Sequence, residues 1–460
     1  MKACTDMAQL TILVFATENT PLAARISIAL DSVGFRVAAL TPHGHPVRQA
    51  RRIQHHLTYH TRSRLKSIVR AIDRWSPDLL VCTDDLAVRK LQTLHQRAAA
   101  SDDKTRRHIA DLIELSLGPS TSFPATRNKS EFLALAELEG LRCPRTIVYP
   151  ATRAFTPSPA ELTYPIVVKA DHSEGGRCVR IVSDDADLRA AVWELQTPST
   201  WRARRFFGAI LGSESLSPLM LPLRRTISLQ QCIVGRPANR AVICWKGEVL
   251  AGIGVEAVEV SHEHGPASVV RLIDHPEMAM IAERMVKRLN LSGFVGFDFV
   301  LDLANSAWLL EMNPRVTPIC HFSLAKGTNL AGSLYAQMKG RLPPSRPALI
   351  DRDLIALFPE GIIRSPSSNY LLSCQHDVPW DEPELVRGVL NQRLQTGILR
   401  RAREFVERYF PVVVDALVRL GLIDARKEAI RRPISTGDCS PELASDPEKH
   451  STFPSWYHRR

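Results

Sequence analysis

Gly293-Phe-Val-Gly-Phe-Asp-Phe-Val-Leu-Asp-Leu-Ala-Asn-Ser-Ala-Trp-Leu-Leu-Glu-Met-Asn-Pro-Arg315 is the stretch on which the reading of this chain turns. Two apolar runs around Leu303–Ser306 predict a β-hairpin. A four-residue loop there pairs Asp302 with Ala307 and carries Asp298 directly opposite Glu311, with Cβ atoms about 4.5–5.5 Å apart. Asn313, two residues further on, shares their face. Two carboxylates side by side on an apolar hairpin repel each other and are poorly solvated, so a cation is expected between them. Two carboxylates and an amide form an oxygen-only set that suits Mg²⁺ or Mn²⁺, with water and phosphate oxygens completing the shell. The competing reading is a solvent-facing acid pair on an amphipathic hairpin, and a one-residue slip in register would separate the two acids.

Upstream, Tyr164-Pro-Ile-Val-Val-Lys169 leads into a loop holding Ser173, Gly175 and Gly176 and then Val179–Val182, which reads as strand, loop, strand. Lys169 ends an apolar strand, where an ammonium needs an anion, and the loop glycines let backbone N–H groups approach phosphate oxygens. No Walker A pattern is present, and an ordinary surface hairpin is the alternative. Asn128-x-x-Glu131 predicts a capping box that opens a helix ending at Glu139, with Gly140 as its stop. Lys129 sits in its first turn, where the helix dipole disfavours a cation unless an anion is near; an exposed surface lysine is the competing view.

The N-terminal segment reads β-α-β-α-β: strand Thr11–Ala16, helix Leu22–Val33, strand Phe35–Leu40, helix Ser63–Trp75 and strand Asp78–Cys82. Short apolar runs alternating with helices predict a parallel sheet covered on both faces. Thr83, Asp84 and Asp85 then fall just past a strand's carboxyl end, where open α/β sheets bind ligands. The apolar run Thr11–Ala16 is too short for a signal peptide, and no stretch reaches the ~18 apolar residues of a membrane helix.

The 460 residues, 45% hydrophobic and 23% charged, exclude a disordered or fibrous chain and leave room for several domains. Nine scattered cysteines without a C-x-x-C pair argue against a zinc site or disulfide framework and favour a reducing cytoplasm. Residues 43–110 hold 14 Lys/Arg against 6 Asp/Glu. Such a surplus attracts phosphate-bearing partners, yet no interleaved aromatics or nucleic-acid module accompany it, so a solvated helical face is expected. Arg387–Gly421 reads as a basic helical stretch, and the Pro/Ser-rich tail beyond about Arg432 as disordered.

Taken together, these pieces resemble the ATP-grasp superfamily, specifically its carbamoyl-phosphate-synthase-like and carboxylate–amine ligase members. The resemblance spans roughly residues 8–345. It rests on Lys129, Pro165–Lys169, the Gly175–Gly176 loop, Gln230-Gln231-Cys-Ile233, Gly293–Asp298 and Glu311-Met-Asn313-Pro-Arg315, in that order. It implies an α/β, Rossmann-like pre-ATP-grasp domain (1–124) and a two-lobed α+β ATP-grasp domain (125–345, its lid about 165–228). A helical C-terminal extension (346–432) and the tail (433–460) follow. By the same resemblance Lys129 and Lys169 contact ATP phosphates beneath the Ser173–Gly176 loop, and Gln230, Gln231 and Ile233 meet the adenine. Asp298, Glu311 and Asn313 bind Mg²⁺, and Arg315 steadies the γ-phosphate.

The implied activity is an ADP-forming ligase that joins a small-molecule carboxylate to an amine through an acyl phosphate. A homodimer is compatible with it, and no membrane or nucleic-acid partner is expected. The chain departs from the family pattern at Gln230, where Glu is frequent, at Arg236–Asn239, which offers no acid for the ribose, and at Cys178. These departures motivate an alternative, a non-catalytic ATP-binding scaffold. His262 and His264 are candidates for a pocket wall or a solvated loop, and Arg202, Arg204 and Arg205 for a lid helix or a solvated face. Cys320 and His321 are adjacent in sequence and point apart in most local structures, which argues against a nucleophilic pair.

Overall fold

The computed structural model describes residues 9–101, 103–149, 161–170, 179–196, 226–260, 265–325, 328–342, 349–364 and 368–391. Ser173, Gly175, Gly176, Cys178, the arginines at 202–205, both histidines at 262 and 264, and everything beyond Asn391 lie outside them.

The N-terminal domain is built on β1 (Thr11–Phe15), β2 (Arg36–Thr41), β3 (His55–Thr58) and β4 (Leu79–Cys82), a parallel sheet in the order β3-β2-β1-β4. Helices α1 (Leu22–Ser32), α2 (Arg64–Trp75), α3 (Asp85–Ala99) and α4 (Lys104–Leu117) accompany it. Every residue of β1 and β4 is buried, as continuous apolar runs in a doubly covered sheet require. Strand β3 is an addition to the expected pattern: His-His-Leu-Thr lacks the apolar run that marked the others, because it forms the sheet edge.

Helices α5 (Phe123–Arg127) and α6 (Lys129–Leu138) lead into two further sheets. The smaller contains β5 (Thr146–Tyr149), β6 (Ile166–Ala170), β7 (Val179–Val182) and β8 (Ile227–Gln231), ordered β5-β8-β6-β7, with α7 (Asp185–Gln196) beside it. This sheet takes in Thr146–Tyr149 along with strands of the stretch about 165–228 expected as a lid. Its core, including Ile166, Val168, Leu188, Val192, Ile227 and Leu229, is separate from the others.

The larger sheet runs β13-β12-β9-β10-β11-β14-β15. Its strands are β9 (Gly235–Trp245), β10 (Glu248–Val260), β11 (Ala267–Ile273), β12 (Gly293–Asp302), β13 (Ala307–Asn313), β14 (Leu354–Leu357) and β15 (Gln375–Asp377). One face packs against α6 and α8 (Pro276–Leu289) through Phe132, Met278, Met285, Phe297, Phe299 and Leu309. The other shares one core with the N-terminal domain, joining Ile12, Val14 and Ile26 to Ile243, Val255 and to Leu330 and Leu334 of α9 (Leu330–Lys339). Of the helical extension expected over 346–432, residues 392–432 lie outside the described residues. Strands β14 and β15 complete the large sheet, with α10 (Glu360–Arg364) and a helix at 383–391 around them. Among the described residues no helix is long and apolar enough to cross a membrane.

His45 supplies a stability prediction. Its Nδ1 accepts from the Val47 backbone N–H at 3.0 Å, and the residue is 1% exposed. Burial first, then the charge of Arg48, pushes its pKa from 6.5 to about 3. The folded state thus binds fewer protons than the unfolded one below pH 6.5, so stability is full above that value and falls as pH drops toward 3. Lowering the pH from 7 to 4.5 is expected to cost roughly 2–3 kcal/mol through this residue. Melting curves of His45→Asn against wild type check it: the variant's acid sensitivity should be visibly shallower, and parallel curves would refute the assignment.

Candidate active site

The hairpin β12–β13 sets Asp298 directly across from Glu311, and Gly296 across from Asn313. Phe297 pairs with Met312 on the opposite face, and both are buried in the α6/α8 core. Apolar side chains thus anchor one face and leave the acids on the other. The turn differs from the expected loop. Leu301, not Asp302, pairs with Ala307, which alone would have moved the acids out of line; an irregularity between Asp298 and Phe299 leaves Leu310 unpaired and restores their register. The tighter turn has a local cause. Asp302 accepts from the backbone N–H groups of Ala304 (3.0 Å) and Ser306 (2.8 Å) and from Trp308 Nε1 (2.9 Å), and Asn305 adopts φ 61°.

Around the acids the donors converge. Asn239 of β9 pairs with Asp298, and its Nδ2 donates to Asp298 Oδ1 at 2.6 Å. Asn313 Nδ2 donates to Oδ2 at 2.9 Å. Lys129 Nζ donates to Glu311 Oε2 at 2.5 Å. Burial, then the Glu311 charge, raises the pKa of Asp298. Burial also opposes ionisation of Glu311, but Lys129 and Lys169 outweigh it and hold the group below the usual carboxylate range. Lys129 is likewise disfavoured by burial and rescued by Glu311, ending above the ordinary lysine value. Lys169, near the end of β6, ends below it: burial dominates, and the support of Glu311 is opposed by Lys129. The cluster is one electrostatic unit of two acids and two ammonium groups.

Lys129 does open a helix, but the capping box does not form. Asn128 makes no side-chain cap bond; its Nδ2 donates instead to Glu131 Oε1 at 2.5 Å. The two side chains satisfy each other, so neither reaches the backbone.

Arg315 is held by a residue from the N-terminal domain. Its Nε and Nη2 donate to Asp85 Oδ1 and Oδ2 at 2.9 and 3.1 Å, and Nη2 also reaches Asn313 Oδ1 at 3.2 Å. The neighbouring Asp84 is structural: it accepts from Thr17 N and Oγ1 and from Ala87 N, capping α3. Gln230 is buried on β8 and donates to Thr146 Oγ1 at 3.0 Å; Gln231 N donates to the Arg145 carbonyl at 2.9 Å, and Ile233 follows, partly buried. Cys320 and His321 point apart as expected: the Cys320 sulfur accepts from Thr317 N (3.2 Å), while His321 Nε2 meets Asp377 (2.9 Å) and Arg25 Nε (3.2 Å). These contacts tie α1 to β15, away from the acids.

Asn239 and the Asp85 contact were absent from the expected site. Asn239 lies in the polar start of its strand, Gly-Arg-Pro-Ala-Asn-Arg, where no local pattern marked it. Asp85 was marked only by its place at a strand's carboxyl end. Among the described residues no three His, Cys, Asp or Glu side chains cluster as a metal site; the set here is two carboxylates completed by amides. It fits a hard divalent cation: all donors are oxygens, the carboxylates are juxtaposed, and Asn239 Oδ1 is buried beside them without a hydrogen-bond partner.

No family model matches the sequence. The comparisons nonetheless show a likeness to proteins of the ATP-grasp superfamily. The chain is 24% identical over 222 residues to the carbamoyl phosphate synthase large chain of Vibrio parahaemolyticus, covering 46% of this chain and 18% of that protein. It is 26% identical over 234 residues to that of Xylella fastidiosa, covering 48% and 20%. The chain therefore spans only about a fifth of those relatives. Among solved structures it resembles N5-carboxyaminoimidazole ribonucleotide synthetase in its ADP complex, with TM-score 0.53 and 16% identity over 74% of this chain and 79% of that one. It also resembles Campylobacter jejuni biotin carboxylase, with TM-score 0.52 and 16% identity over 73% and 72%.

Proposed function

We propose that the chain is an ATP-dependent, ADP-forming ligase that activates a carboxylate and joins it to an amine or similar nucleophile. One observation carries the reading: Asp298 and Glu311 face each other with Asn313 on the same face, and Lys129 and Lys169 complete the cluster. Phosphoryl transfer needs positioning and charge neutralisation rather than a protein nucleophile, and this set supplies both. In the first step a carboxylate oxygen bonds to the γ-phosphorus as its bridging bond to ADP breaks. In the second, the amine nitrogen bonds to the acyl carbon, phosphate leaves and the nitrogen loses a proton.

In this reading Asp298, Glu311 and Asn313 hold Mg²⁺, which when bound neutralises phosphate charge. Lys129, Lys169 and the Ser173–Gly176 loop contact phosphates, Gln230, Gln231 and Ile233 meet the base, and Arg315 turns from Asp85 to the transferring phosphoryl group. The relatives' names, a carbamoyl phosphate synthase, a carboxyaminoimidazole ribonucleotide synthetase in its ADP complex and a biotin carboxylase, support the class of reaction. The test is release of ADP and phosphate from Mg-ATP with pooled carboxylates and amines. Release that requires both an acid and an amine is expected; tight ATP binding without turnover on any combination would leave a nucleotide-binding scaffold instead.

A further inference from the structure

A cavity opens on the N-terminal-domain side of the Lys129–Glu311 pair. Asp85, Arg89 and Gln92 of α3, Arg127 of α5, Lys129 and Asn313 are among its walls, whereas Lys169, Asp298 and Glu311 are not. Its volume is about 40 Å³. One bound water occupies roughly 10–15 Å³ of such space, so the cavity holds about three waters or one carboxylate or phosphate head group.

The charges on its walls do not cancel. Asp85 is taken up bidentately by Arg315, and Lys129 by Glu311. Arg89 and Arg127, both partly buried, have no carboxylate within ion-pair distance among the described residues. Arg127 is held in place rather than loose: its Nε donates to Gln92 Oε1 at 2.5 Å, and Gln92 Nε2 donates to Thr126 Oγ1 at 2.9 Å. That leaves Arg127 Nη2 buried with no hydrogen-bond partner. Burial and the charge of Arg89 both lower the Arg127 pKa, as expected of two guanidinium groups sharing a cleft without a counter-ion. An unpaired, desolvated cation is costly, and a guanidinium fork matches the two oxygens of a carboxylate or phosphate.

We infer that Arg89 and Arg127 form an oxyanion site that takes a second, non-reacting acid group of the carboxylate substrate. The inference rests on the ligase reading for its substrate and on the cavity alone for its ligand chemistry. It narrows the acid to a molecule with two anionic groups, one presented to the Asp298–Glu311 centre and one to the arginines.

Calorimetric titration with succinate and with inorganic phosphate tests it, on wild type, Arg89→Gln and Arg127→Gln, both without nucleotide and with excess Mg-ADP. The wild type is expected to bind one of the two anions in both conditions, and each variant to bind it at least about ten-fold more weakly. Preference for succinate assigns a carboxylate, and preference for phosphate a phosphate ester. Equal affinity in wild type and variants, or no anion binding by the wild type, would overturn the site. Mg-ADP affinity in the same titrations separates the two claims: absence of nucleotide binding counts against the ligase reading, while arginine-dependent anion binding still decides the oxyanion site.

Discussion

Exchanging Glu311 for glutamine is expected to cut ADP release by about 10²- to 10³-fold in kcat/KM, a loss typical of removing one charge-stabilising group from a reaction centre. Glutamine keeps the size and the strand pairing with Asp298, so the loss reports charge. Glu311 is the acid that its surroundings keep ionised, because Lys129 and Lys169 outweigh its burial. Without it Lys129 loses its 2.5 Å partner. Lys169, already lowered by burial, loses the largest charge supporting its ammonium form. Its pKa therefore falls further, and the variant should lose activity at a lower alkaline pH than wild type. Coupled-enzyme assays of ADP release between pH 6.5 and 9 measure both effects. Wild-type turnover in the variant would remove this hairpin from the chemistry, and with it the ligase reading.

That the hairpin was legible at all follows from how little it needs: a two-residue side-chain period, two apolar runs and a short polar loop. The Asp298–Glu311 pairing was readable, but by a register that the molecule reaches differently, since the Asp302-bonded turn and the extra Leu310 offset each other. Elements without an apolar period escaped. Strands His55–Thr58 and Gln375–Asp377 are short, polar and at sheet edges, and the latter joins the large sheet beside Leu354–Leu357. Contacts between distant segments escaped for another reason. Asp85 and Arg315 lie 230 positions apart, and no local pattern encodes their meeting. The Arg127–Gln92 bond, 35 positions apart, is of the same kind.

The largest stability effect is expected where the N-terminal domain meets the large sheet. Gly293, at the start of β12, has φ +88°, and a Cβ there would sit 2.5 Å from the Ser116 carbonyl oxygen. Gly118, with φ +99°, makes the reciprocal approach, 2.8 Å from the Asn290 carbonyl. Gly293→Ala combines a left-handed backbone cost of about 1–2 kcal/mol with overpacking of about 1–3 kcal/mol against backbone that has no rotamer to move. The sum, roughly 2–5 kcal/mol, corresponds to a fall in melting temperature of about 5–15 °C for a domain of this size. Gly340→Ala is the control, because its φ is +64° but nothing lies within 4 Å of the added Cβ, and a fall of only about 3–6 °C is expected. The same seam bears on the site: Ser116 Oγ accepts from Leu80 N of β4, and Cys82 O at that strand's end accepts from Val316 N, beside the Arg315–Asp85 pair. Pushing Ser116 away should therefore lower kcat/KM in Gly293→Ala beyond what the unfolded fraction explains, measured at a temperature where the variant is fully folded. Equal melting losses in the two alanine variants would show that the contact with Ser116 yields freely and that the seam does not pin the arginine.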